Sequence, residues 1–428
     1  MRVIFSAMPK QVNFDVLDEL RWRGMLFQHT EGLPKALEAG PVTAYAGFDP
    51  TATSLHVGSL VPIMGLVHLQ RSGHRPVALV GGGTGLIGDP SGKSAERQLH
   101  TAFTVSANAE AIHRQLESFL DFSGKNAALL RNNAEWLTEL NAIDFMRDVG
   151  KHFTVNYMLA KESVNARMES GISYTEFSYM LLQAYDYLEL YRRDGVSLQV
   201  GGSDQWGNIT AGMELIRRTL GAEANALTFP LVATAAGTKF GKTEAGSVWL
   251  DAKLTSPYKF YQFWINVDDR DIFSYLRLFT LLPRAEIEAL DEEVKSAPEK
   301  RAAQIALARE VTARVHGDSS AKIVEEASGV LFGGRDPRTL SAEVFETLSD
   351  EIPSAALPAA TGIADVLVAL NLAASKGAAR RLIEQGGVYL NGERASAAAT
   401  MESSPALSGR YQLIRKGARD FGLVRLAT

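Results

Sequence analysis

The sequence predicts an α/β protein with a parallel sheet, followed by an all-α region and a small C-terminal α+β domain. Residues 42–235 alternate strand-like apolar runs with helix-like segments, which is typical of a parallel sheet covered by helices on both faces. From about residue 256 helix-like segments follow one another, and after residue 363 two short helix-like segments precede the strand-like run "GGVYLNGERA". The predicted domains are 1–245, 246–348 and 362–428, with the Pro-, Ala- and Ser-rich segment 349–361 as a linker.

Each predicted strand of the α/β region is a short run, rich in apolar residues, that ends near a glycine, a proline or a polar residue. The predicted strands are 42–48, 76–81, 126–132, 197–202 and 227–234. The predicted helices are 60–69, 105–119 and a helix from about residue 208. Ligands of such sheets bind beyond the carboxyl ends of the strands. We therefore look for functional residues just after the strands.

Composition narrows the classes of function. The 428 residues have a net charge of −5 and are 46% hydrophobic, as expected for a globular chain of more than one domain. The absence of cysteine excludes disulfides, thiolate zinc sites and cysteine nucleophiles. The eight histidines form no H-E-x-x-H pair, so we expect no dedicated protein metal site. No apolar run approaches the ~18 residues of a membrane helix, and no secretory pattern opens the chain, so we expect a cytoplasmic protein without a membrane partner.

Charge is unevenly distributed along the chain. Residues 361–428 contain nine Lys/Arg and five Asp/Glu, a net charge of +4, so the preceding residues carry −9. A small basic module attached to an acidic body indicates a local contact with a polyanion such as RNA.

The stretch "VALVGGGTGLIGDPSGK" (77–93) contains the glycine spacing G-x-G-x-x-G of dinucleotide sites. That site needs a helix at its third glycine, whereas the Asp-Pro that follows here disfavours helical geometry. The phosphate loop G-x-x-x-x-G-K-[ST] fails too, because Ile87 stands where its first glycine belongs, and "GTKFGKT" (237–243) has Ala236 at that place. The glycine-rich stretch therefore presents Asp89 at a strand end rather than a phosphate cradle.

The segment "YAGFDPTATSLHVGSL" (45–60) joins the first strand to a helix through an Asp-Pro-Thr turn. His56 and Gly58 stand at the start of that helix, where free backbone N–H groups attract anions. Glycine at this place also lets a ligand approach the backbone closely. A helix cap and an anion-binding element are both compatible with this pattern.

The helix-like segment "YTEFSYMLLQAYDYLELY" (174–191) carries a polar stripe on an apolar helix. Tyr179, Gln183 and Asp186 have the spacing i, i+4 and i+7, and so lie on one face. Because their neighbours are apolar nearly all round, the helix is predicted to be buried, and a buried carboxylate needs a partner. The stripe is either a structural hydrogen-bond network or part of a ligand site.

Four motifs in this order resemble those of class I aminoacyl-tRNA synthetases of the tyrosyl type. "DPTATSLHVGS" resembles their HIGH element, and "KFGKT" (239–243) resembles their KMSKS loop. The helix 174–191 and "LQVGGSDQWGNIT" (198–210) are also similar to tyrosyl-enzyme segments. The departure is Ser59, which stands where the HIGH element has its second histidine. The resemblance implies a Rossmann-like catalytic domain, an all-α domain and a C-terminal S4-like RNA-binding domain.

The resemblance implies a site for L-tyrosine. The residues expected to line it are Tyr45, Asp89, Tyr179, Gln183, Asp186, Gln199 and Gln205. Of these, Tyr45 and Asp186 are expected at the phenol hydroxyl, and Asp89, Tyr179 and Gln183 at the ammonium group. Gln205 is expected near the carboxyl group, and Gln199 as a support of the pocket. Phenylalanine would leave the groups at the hydroxyl unpaired, and tyrosyl enzymes are known to reject it by a factor of about 10⁵ in this way.

The resemblance also implies ATP as a substrate, with Mg²⁺ arriving on its phosphates. The residues expected to bind ATP are Gly47, Asp49, His56, Gly58, Ser59, Gly202, Asp204 and Lys242. The residues expected to stabilise charge on the phosphates are Thr51, His56, Lys93, Arg97, Lys239, Lys242 and Thr243. The attacking carboxylate is already an anion, so the adenylation step needs alignment and charge stabilisation rather than a general base.

The C-terminal segment "ADVLVALNLAASKGAARRLIEQGGVYLNGER" (364–394) resembles the S4-like RNA-binding module. Its expected RNA-binding residues are Ser375, Lys376, Arg380 and Arg381. The implied activity is tyrosine–tRNA ligation through tyrosyl-adenylate, with tRNA(Tyr) as a partner and a homodimer as the expected assembly. Two alternatives stay open: a tryptophanyl-tRNA synthetase, which shares the fold and both loops, and a non-catalytic RNA-binding protein on a synthetase fold.

Overall fold

The computed structural model describes residues 15–91, 99–165, 168, 171–237, 240–243 and 246–427. The strands are β1 Gln28–His29, β2 Thr43–Phe48, β3 Arg75–Val80, β4 Leu129–Asn132, β5 Val196–Gly202, β6 Asn225–Phe229, β7 Lys242–Thr243, β8 Gly246–Ser247, β9 Ser354–Pro358, β10 Val388–Leu390, β11 Glu393–Arg394, β12 Tyr411–Lys416 and β13 Asp420–Ala427. The α-helices are α1 Val16–Trp22, α2 Leu33–Ala39, α3 Leu60–Arg71, α4 Ala102–Leu116, α5 Ala134–Leu137, α6 Ala142–Asp148, α7 Val155–Leu159, α8 Glu162–Asn165, α9 Tyr174–Asp194, α10 Trp206–Leu220, α11 Pro257–Ile265, α12 Asp269–Phe279, α13 Arg284–Ser296, α14 Ala302–His316, α15 Asp318–Phe332, α16 Ala342–Glu351, α17 Ile363–Ala369 and α18 Lys376–Glu384. The chain divides into two compact units, Met1–Thr255 with Val267–Leu307, and Ser256–Asn266 with Ala308–Thr428.

The first unit is built on a six-stranded sheet with the strand order β1-β6-β5-β2-β3-β4. β2 to β6 are parallel neighbours in this sheet, and only β1 is antiparallel to its neighbour β6. The chain runs outward from β2 to β3 and β4 on one side, and through β5 to β6 on the other. The strand order therefore reverses between β2 and β5, which is where ligands of such sheets bind. The predicted parallel α/β class is confirmed.

All five predicted strands form, with small shifts at their ends. The last of them stops at Phe229 because Pro230 has no N–H to donate to a sheet ladder. After β3 the chain makes a short 3-10 turn at Thr84–Leu86, and Gly88 has a φ of 87°. The described residues from 81 to 91 contain no α-helix, in agreement with the rejection of the dinucleotide and phosphate-loop motifs.

Helices α9 and α10 cover β5 and fix the position of the polar stripe. α9 begins at Ser173, whose side chain accepts from the N–H of Glu176, and ends at Gly195 with a φ of 66°. Its apolar face joins a core cluster that includes Tyr187 and Leu188. A Cβ atom on Gly212 of α10 would lie 2.9 Å from the ring of Tyr187, so glycine allows the two helices to approach closely. The resulting packing leaves little freedom in where α9 presents its polar residues.

The second unit contains a five-stranded sheet with the order β11-β10-β12-β13-β9. Its neighbours are antiparallel except β9, which runs parallel to β13 at the edge. α17 and α18 bury Ile363, Val366 and Ile383 in a core cluster with strand residues such as Ile414. The helix–helix–strand order predicted for the C-terminal module is confirmed. None of the helices in the described residues has the length and apolar content needed to cross a membrane.

The segment predicted as a linker, 349–361, contains a strand instead. Ser354–Pro358 forms β9 and pairs with β13 from Leu423 to Ala427. Its Pro and Ala content, which suggested a linker, is compatible with an edge strand, where a missing N–H can face away from the ladder. The domain boundaries at 245 and 348 are not tested by this division of the chain and stay predictions.

Candidate active site

The first unit contains a cavity of about 200 Å³ at the carboxyl ends of β2 and β5, where the strand order reverses. All seven residues predicted to bind tyrosine line it, together with three from the ATP set: Tyr45, Asp89, Tyr179, Gln183, Asp186, Gln199 and Gln205, with Gly47, Asp49 and Gly202. Three of its lining residues are aspartates, and none of the described lining residues is Lys, Arg or His. Such a wall suits a neutral or cationic ligand and disfavours a phosphate.

Tyr45 and Asp186 are two deeply buried polar residues of this wall. They are 1% and 2% exposed. The hydroxyl of Tyr45 is buried and has no hydrogen-bond partner among the described residues. Burial raises the pKa of Asp186 to about 8, and burial, followed by the nearby Asp186 charge, holds the pKa of Tyr45 well above its usual value. An unpaired buried hydroxyl costs about 1–3 kcal/mol, so a ligand hydroxyl at this place would recover that free energy.

Two residues that the sequence analysis missed hold the carboxylate of Asp186. Asn133 donates from Nδ2 at 2.8 Å and Trp136 donates from Nε1 at 2.7 Å. Both donors lower the pKa of Asp186 and so partly offset the effect of burial. The guanidinium of Arg193 lies 5.1 Å from the ring centre of Trp136 and is ion-paired with Glu189 at 3.0 Å. The available signal was the position of "NNAEW" immediately after a predicted strand at the ligand-binding edge.

Two further carboxylates stand in the cavity wall. Asp49 accepts hydrogen bonds from Tyr179 Oη and Thr84 Oγ1, both at 2.8 Å. Asp89 accepts from Gln205 Nε2 at 2.8 Å. Burial, together with Asp49, holds the pKa of Tyr179 well above its usual value, so this hydroxyl keeps its proton and can donate. Oxygen acceptors arranged in this way suit an ammonium group.

Amide side chains complete the same wall. Gln183 accepts from Asn208 Nδ2 at 3.0 Å, and its own Nε2 lies 3.3 Å from Gln205 Oε1. Gln199 is 3% exposed, and its Oε1 is buried with no hydrogen-bond partner among the described residues. The wall therefore holds a second buried acceptor that a donor on a ligand could satisfy.

The HIGH-like and KMSKS-like elements lie side by side although some 180 residues separate them in the sequence. Val57 N–H donates to Val248 O at 3.0 Å, and Val248 N–H donates to Gly241 O at 3.0 Å. His56 forms an antiparallel bridge with Trp249, and its Nδ1 accepts from the N–H of Gly58 at 3.0 Å. Gly241 has a φ of 79°, and a Cβ there would lie 2.6 Å from Val57 Cγ2. Only glycine fits this contact between the two elements.

The other predicted nucleotide-binding residues lie outside the cavity wall. Thr51 is exposed in the turn after β2, where its N–H donates to Asp49 O at 2.9 Å. Gly58 and Ser59 form the 3-10 turn that leads into α3. Asp204 is exposed in the 3-10 turn Ser203–Gln205 after β5.

The predicted basic residues of the first unit are described only in part. Lys93, Arg97 and Lys239 lie outside the described residues. Lys242 and Thr243 are described as the backbone of β7, which pairs with β8. The roles given to these five residues stay predictions.

The predicted RNA-binding residues of the second unit are all exposed at the start and along one stretch of α18. Ser375 caps the helix by accepting from the N–H of Ala378 at 3.2 Å. Lys376 forms an ion pair with Asp365 of α17. Arg380 and Arg381 follow on the same helix. The structure places the four side chains within one short segment, and their contact with RNA stays a prediction.

Comparisons with known proteins agree over nearly the whole chain. The family model described as "tRNA synthetases class I (W and Y)" matches residues 37–333, and that described as "Tyrosine–tRNA ligase SYY-like C-terminal domain" matches residues 344–424. The tyrosine–tRNA ligase of Roseiflexus castenholzii is 55% identical over 96% of this chain and 99% of its own length, and that of Bacillus caldotenax is 53% identical over 96% and 100%. Among solved structures, a C-terminally truncated mitochondrial tyrosyl-tRNA synthetase of Aspergillus nidulans has a TM-score of 0.68 at 31% identity, covering 74% of this chain and 94% of that one.

Replacing Asp186 with asparagine should remove a pH dependence of folding stability. The pKa of Asp186 is about 8 in the folded protein, against an ordinary value of 3.8. At a pH between these two values, the folded protein keeps a proton on Asp186 that the unfolded chain loses. The stability linked to this proton is full below pH 4 and is lost as the pH rises through 8, by at most about 6 kcal/mol. Urea midpoints of ligand-free protein from pH 5 to 8.5 should therefore fall less steeply for Asp186→Asn than for the wild type.

A second variant tests the cause of this pH dependence. Trp136→Phe removes a donor that favours the carboxylate, so the decline in stability should extend to higher pH than in the wild type. Parallel pH profiles for wild type and Asp186→Asn would show that Asp186 does not titrate in this window.

Proposed function

The chain belongs to the class I tRNA synthetases (W and Y), as a tyrosine–tRNA ligase, and from this premise we propose which residues carry the two steps of its reaction. In the first step tyrosine and ATP form tyrosyl-adenylate and pyrophosphate. In the second the tyrosyl group passes to the 3′ end of tRNA(Tyr) and AMP leaves. The cavity of the first unit binds the amino acid, the HIGH-like and KMSKS-like elements bind ATP, and the C-terminal module binds tRNA.

The observation that supports the amino-acid assignment is the unpaired hydroxyl of Tyr45 beside the buried Asp186. A phenol hydroxyl both donates and accepts, so it can satisfy both groups at once. Phenylalanine would leave the Tyr45 hydroxyl unpaired and would add no bond to Asp186, which already accepts from Asn133 and Trp136. An indole N–H donates only, so tryptophan could bond to one of the two groups but not to both. This is why the tryptophanyl alternative is not favoured.

Other residues of the cavity wall suit the ammonium group of the substrate. Asp89 and Asp49 supply negative charge, and Gln183 and Gln199 supply amide oxygens. This arrangement supports the roles expected for Asp89 and Gln183. It also adds Asp49, which the sequence analysis assigned to ATP but which bonds to Tyr179 within the cavity wall.

Adenylation requires charge stabilisation around the phosphates. His56 pairs with Trp249, and the next two residues, Val57 and Gly58, lie beside Gly241, so the anion-attracting start of the α3 segment adjoins the lysine-bearing loop. Lys242, Thr51 and the basic residues predicted at 93, 97 and 239 would stabilise the pentacoordinate phosphate and the leaving pyrophosphate. Mg²⁺ bound to the phosphates of ATP would supply further positive charge there.

We propose that the protein acts in the cytoplasm, where aminoacyl-tRNA is consumed. We also propose that it assembles as a homodimer. Four large apolar side chains on α6, α7 and the start of α9 are exposed by 56–73%: Ile143, Met146, Val155 and Tyr174. Their inward neighbours Phe153, Met158 and Phe177 already pack into the core cluster. Several large apolar side chains left exposed within one region of the sequence are typical of a subunit interface.

ATP–pyrophosphate exchange with each of the twenty amino acids, in the presence of Mg²⁺, tests the activity. Tyrosine should support exchange and phenylalanine and tryptophan should not. Tyr45→Phe removes one hydrogen bond to the phenol, so the preference for tyrosine over phenylalanine should fall by up to about tenfold. Tyr191→Phe, on the same helix as Asp186 but outside the cavity wall, should leave the preference unchanged. Exchange driven by tryptophan, or by no amino acid, would contradict the proposal.

Removing two basic side chains from α18 should impair tRNA use without affecting adenylation. In Arg380→Ala/Arg381→Ala the KM for tRNA(Tyr) should rise, and the salt dependence of tRNA binding should weaken by about one unit of log–log slope for each lost phosphate contact. Tyrosine-dependent pyrophosphate exchange should stay at the wild-type rate. Lys295→Ala/Lys300→Ala, which removes the same charge from exposed positions on and just after α13, is the control. Equal effects of both double variants would contradict the assignment.

A charged residue in the apolar surface should disrupt the dimer. Ile143→Asp would bury an unpaired carboxylate in the interface, so sedimentation equilibrium should give a dimer for the wild type and a monomer for the variant. Phe27→Asp changes a side chain that is 61% exposed but lies elsewhere in the chain, and it should stay dimeric. A dimeric Ile143→Asp protein would place the interface on another surface.

A further inference from the structure

The KMSKS-like loop contains a large apolar residue to which the proposed chemistry gives no role. Phe240 stands between the two lysines of "KFGKT" and is 5% exposed. Its ring stacks on Phe279 with centroids 5.1 Å apart and planes at 14°, and it meets Tyr275 edge-on at 5.0 Å. Tyr275 and Phe279 contact each other at 5.6 Å. Phe240 is therefore the third ring of a closed aromatic cluster that belongs to α12.

The same helix holds the loop at a second point. The N–H of Ala235 donates to both carboxylate oxygens of Asp271, at 2.9 and 3.0 Å. Asp271, Tyr275 and Phe279 are spaced by four residues, so they lie on one face of α12. One helix face thus holds the backbone before the loop and the aromatic ring within it.

α12 is itself held firmly at its carboxyl end. The guanidinium of Arg23, which is 2% exposed, donates to the carbonyl oxygens of Arg277 at 2.9 Å, Thr280 at 2.8 Å and Leu282 at 2.9 Å. Arg23 also pairs with Glu19 at 2.6 Å. These bonds satisfy carbonyl groups that the helix end leaves free. The support under the loop is therefore a fixed part of the first unit.

The residue after Phe240 is the one that contacts the HIGH-like element. Gly241 packs against Val57, and its carbonyl accepts from Val248. Lys242 and Thr243 follow directly as β7. Because the ring of Phe240 is held in place, the position at which the backbone of β7 begins is held in place as well.

We propose that Phe240 is a positioning residue for adenylation: its burial between Tyr275 and Phe279 sets the backbone that delivers Lys242 to the pyrophosphate. The inference rests on the proposed function, in which Lys242 stabilises the leaving pyrophosphate. A long lysine side chain loses much rotamer freedom when it is held in one place. If the backbone of the lysine is already fixed, less conformational entropy has to be lost when its side chain binds the transition state. Displacements near 1 Å in such an arrangement cost up to about 100-fold in rate.

The test compares adenylate formation in single-turnover experiments with full-length variants. Phe240→Ala should lower the rate of tyrosyl-adenylate formation by roughly 10- to 100-fold, with less than a twofold change in the Kd for tyrosine. Phe240→Leu, which refills most of the space between the rings, should recover most of the rate. Phe119→Ala removes an equally buried phenylalanine of the same unit, 3% exposed, and should lower the urea midpoint but not the adenylation rate. If Phe240→Ala forms tyrosyl-adenylate at a rate no lower than that of Phe119→Ala, the inference is overturned.

A double-variant cycle separates positioning from packing. Lys242→Ala alone should lower the adenylation rate while tyrosine binding persists. If Phe240 acts through Lys242, adding Phe240→Ala to Lys242→Ala should lower the rate much less than it does in the wild type. Additive losses would overturn the inference although the proposed function stands. Loss of all tyrosine-dependent exchange in the wild type would instead overturn the proposed function.

Discussion

The carboxylate of Asp186, buried on the inner face of α9, is the group around which the cavity is organised. Removing an acid from water is unfavourable, and here burial raises its pKa to about 8. It is tolerated because Asn133 and Trp136 donate to its two oxygens from the segment after β4. The same bonds fasten that segment to α9, so the acid shapes the wall of the cavity as well as lining it. A hydrophobic residue at this position would pack more simply but would leave only the Tyr45 hydroxyl to bond to a ligand hydroxyl.

The hydrogen bonds continue from this acid to the other end of the cavity. Asn133 also donates to Thr84 Oγ1 at 2.9 Å, and Thr84 donates to Asp49, which accepts from Tyr179 as well. A connected network of this kind is costly to rearrange, because moving one member leaves others unpaired in a low-dielectric interior. The distance between the proposed hydroxyl-binding and ammonium-binding ends is therefore fixed before substrate arrives. A fixed separation between these two ends favours an amino acid whose side chain has one particular length.

The sequence allowed correct predictions where the spacing of nearby residues determines where their side chains lie. The i, i+4, i+7 stripe of α9 does line the cavity, and the Asp-Pro after Gly88 does stop a helix, so that Asp89 reaches the wall. Asn133 and Trp136 were missed because their direction depends on how a loop packs against a distant helix. β9 was missed for the same reason, since its partner β13 is about seventy residues away along the chain. Pairing over such separations is set by tertiary contacts that composition does not reveal.

In the proposed reaction, recognition of the amino acid and stabilisation of the phosphates require different kinds of side chain. Amino-acid recognition depends on unpaired buried groups, and it therefore needs a closed wall with no cation in it. Phosphate stabilisation depends on lysines, which are well hydrated, flexible and incompatible with that wall. The fold separates them by placing the acids after β2, after β3 and on α9, and the lysine-bearing loop on the face of α12. Gly241 against Val57 is where this loop touches the HIGH-like element. Because the contact consists of close packing against one methyl group and backbone hydrogen bonds through Val248, the position of the lysine-bearing loop beside that element depends on uncharged groups rather than on charge.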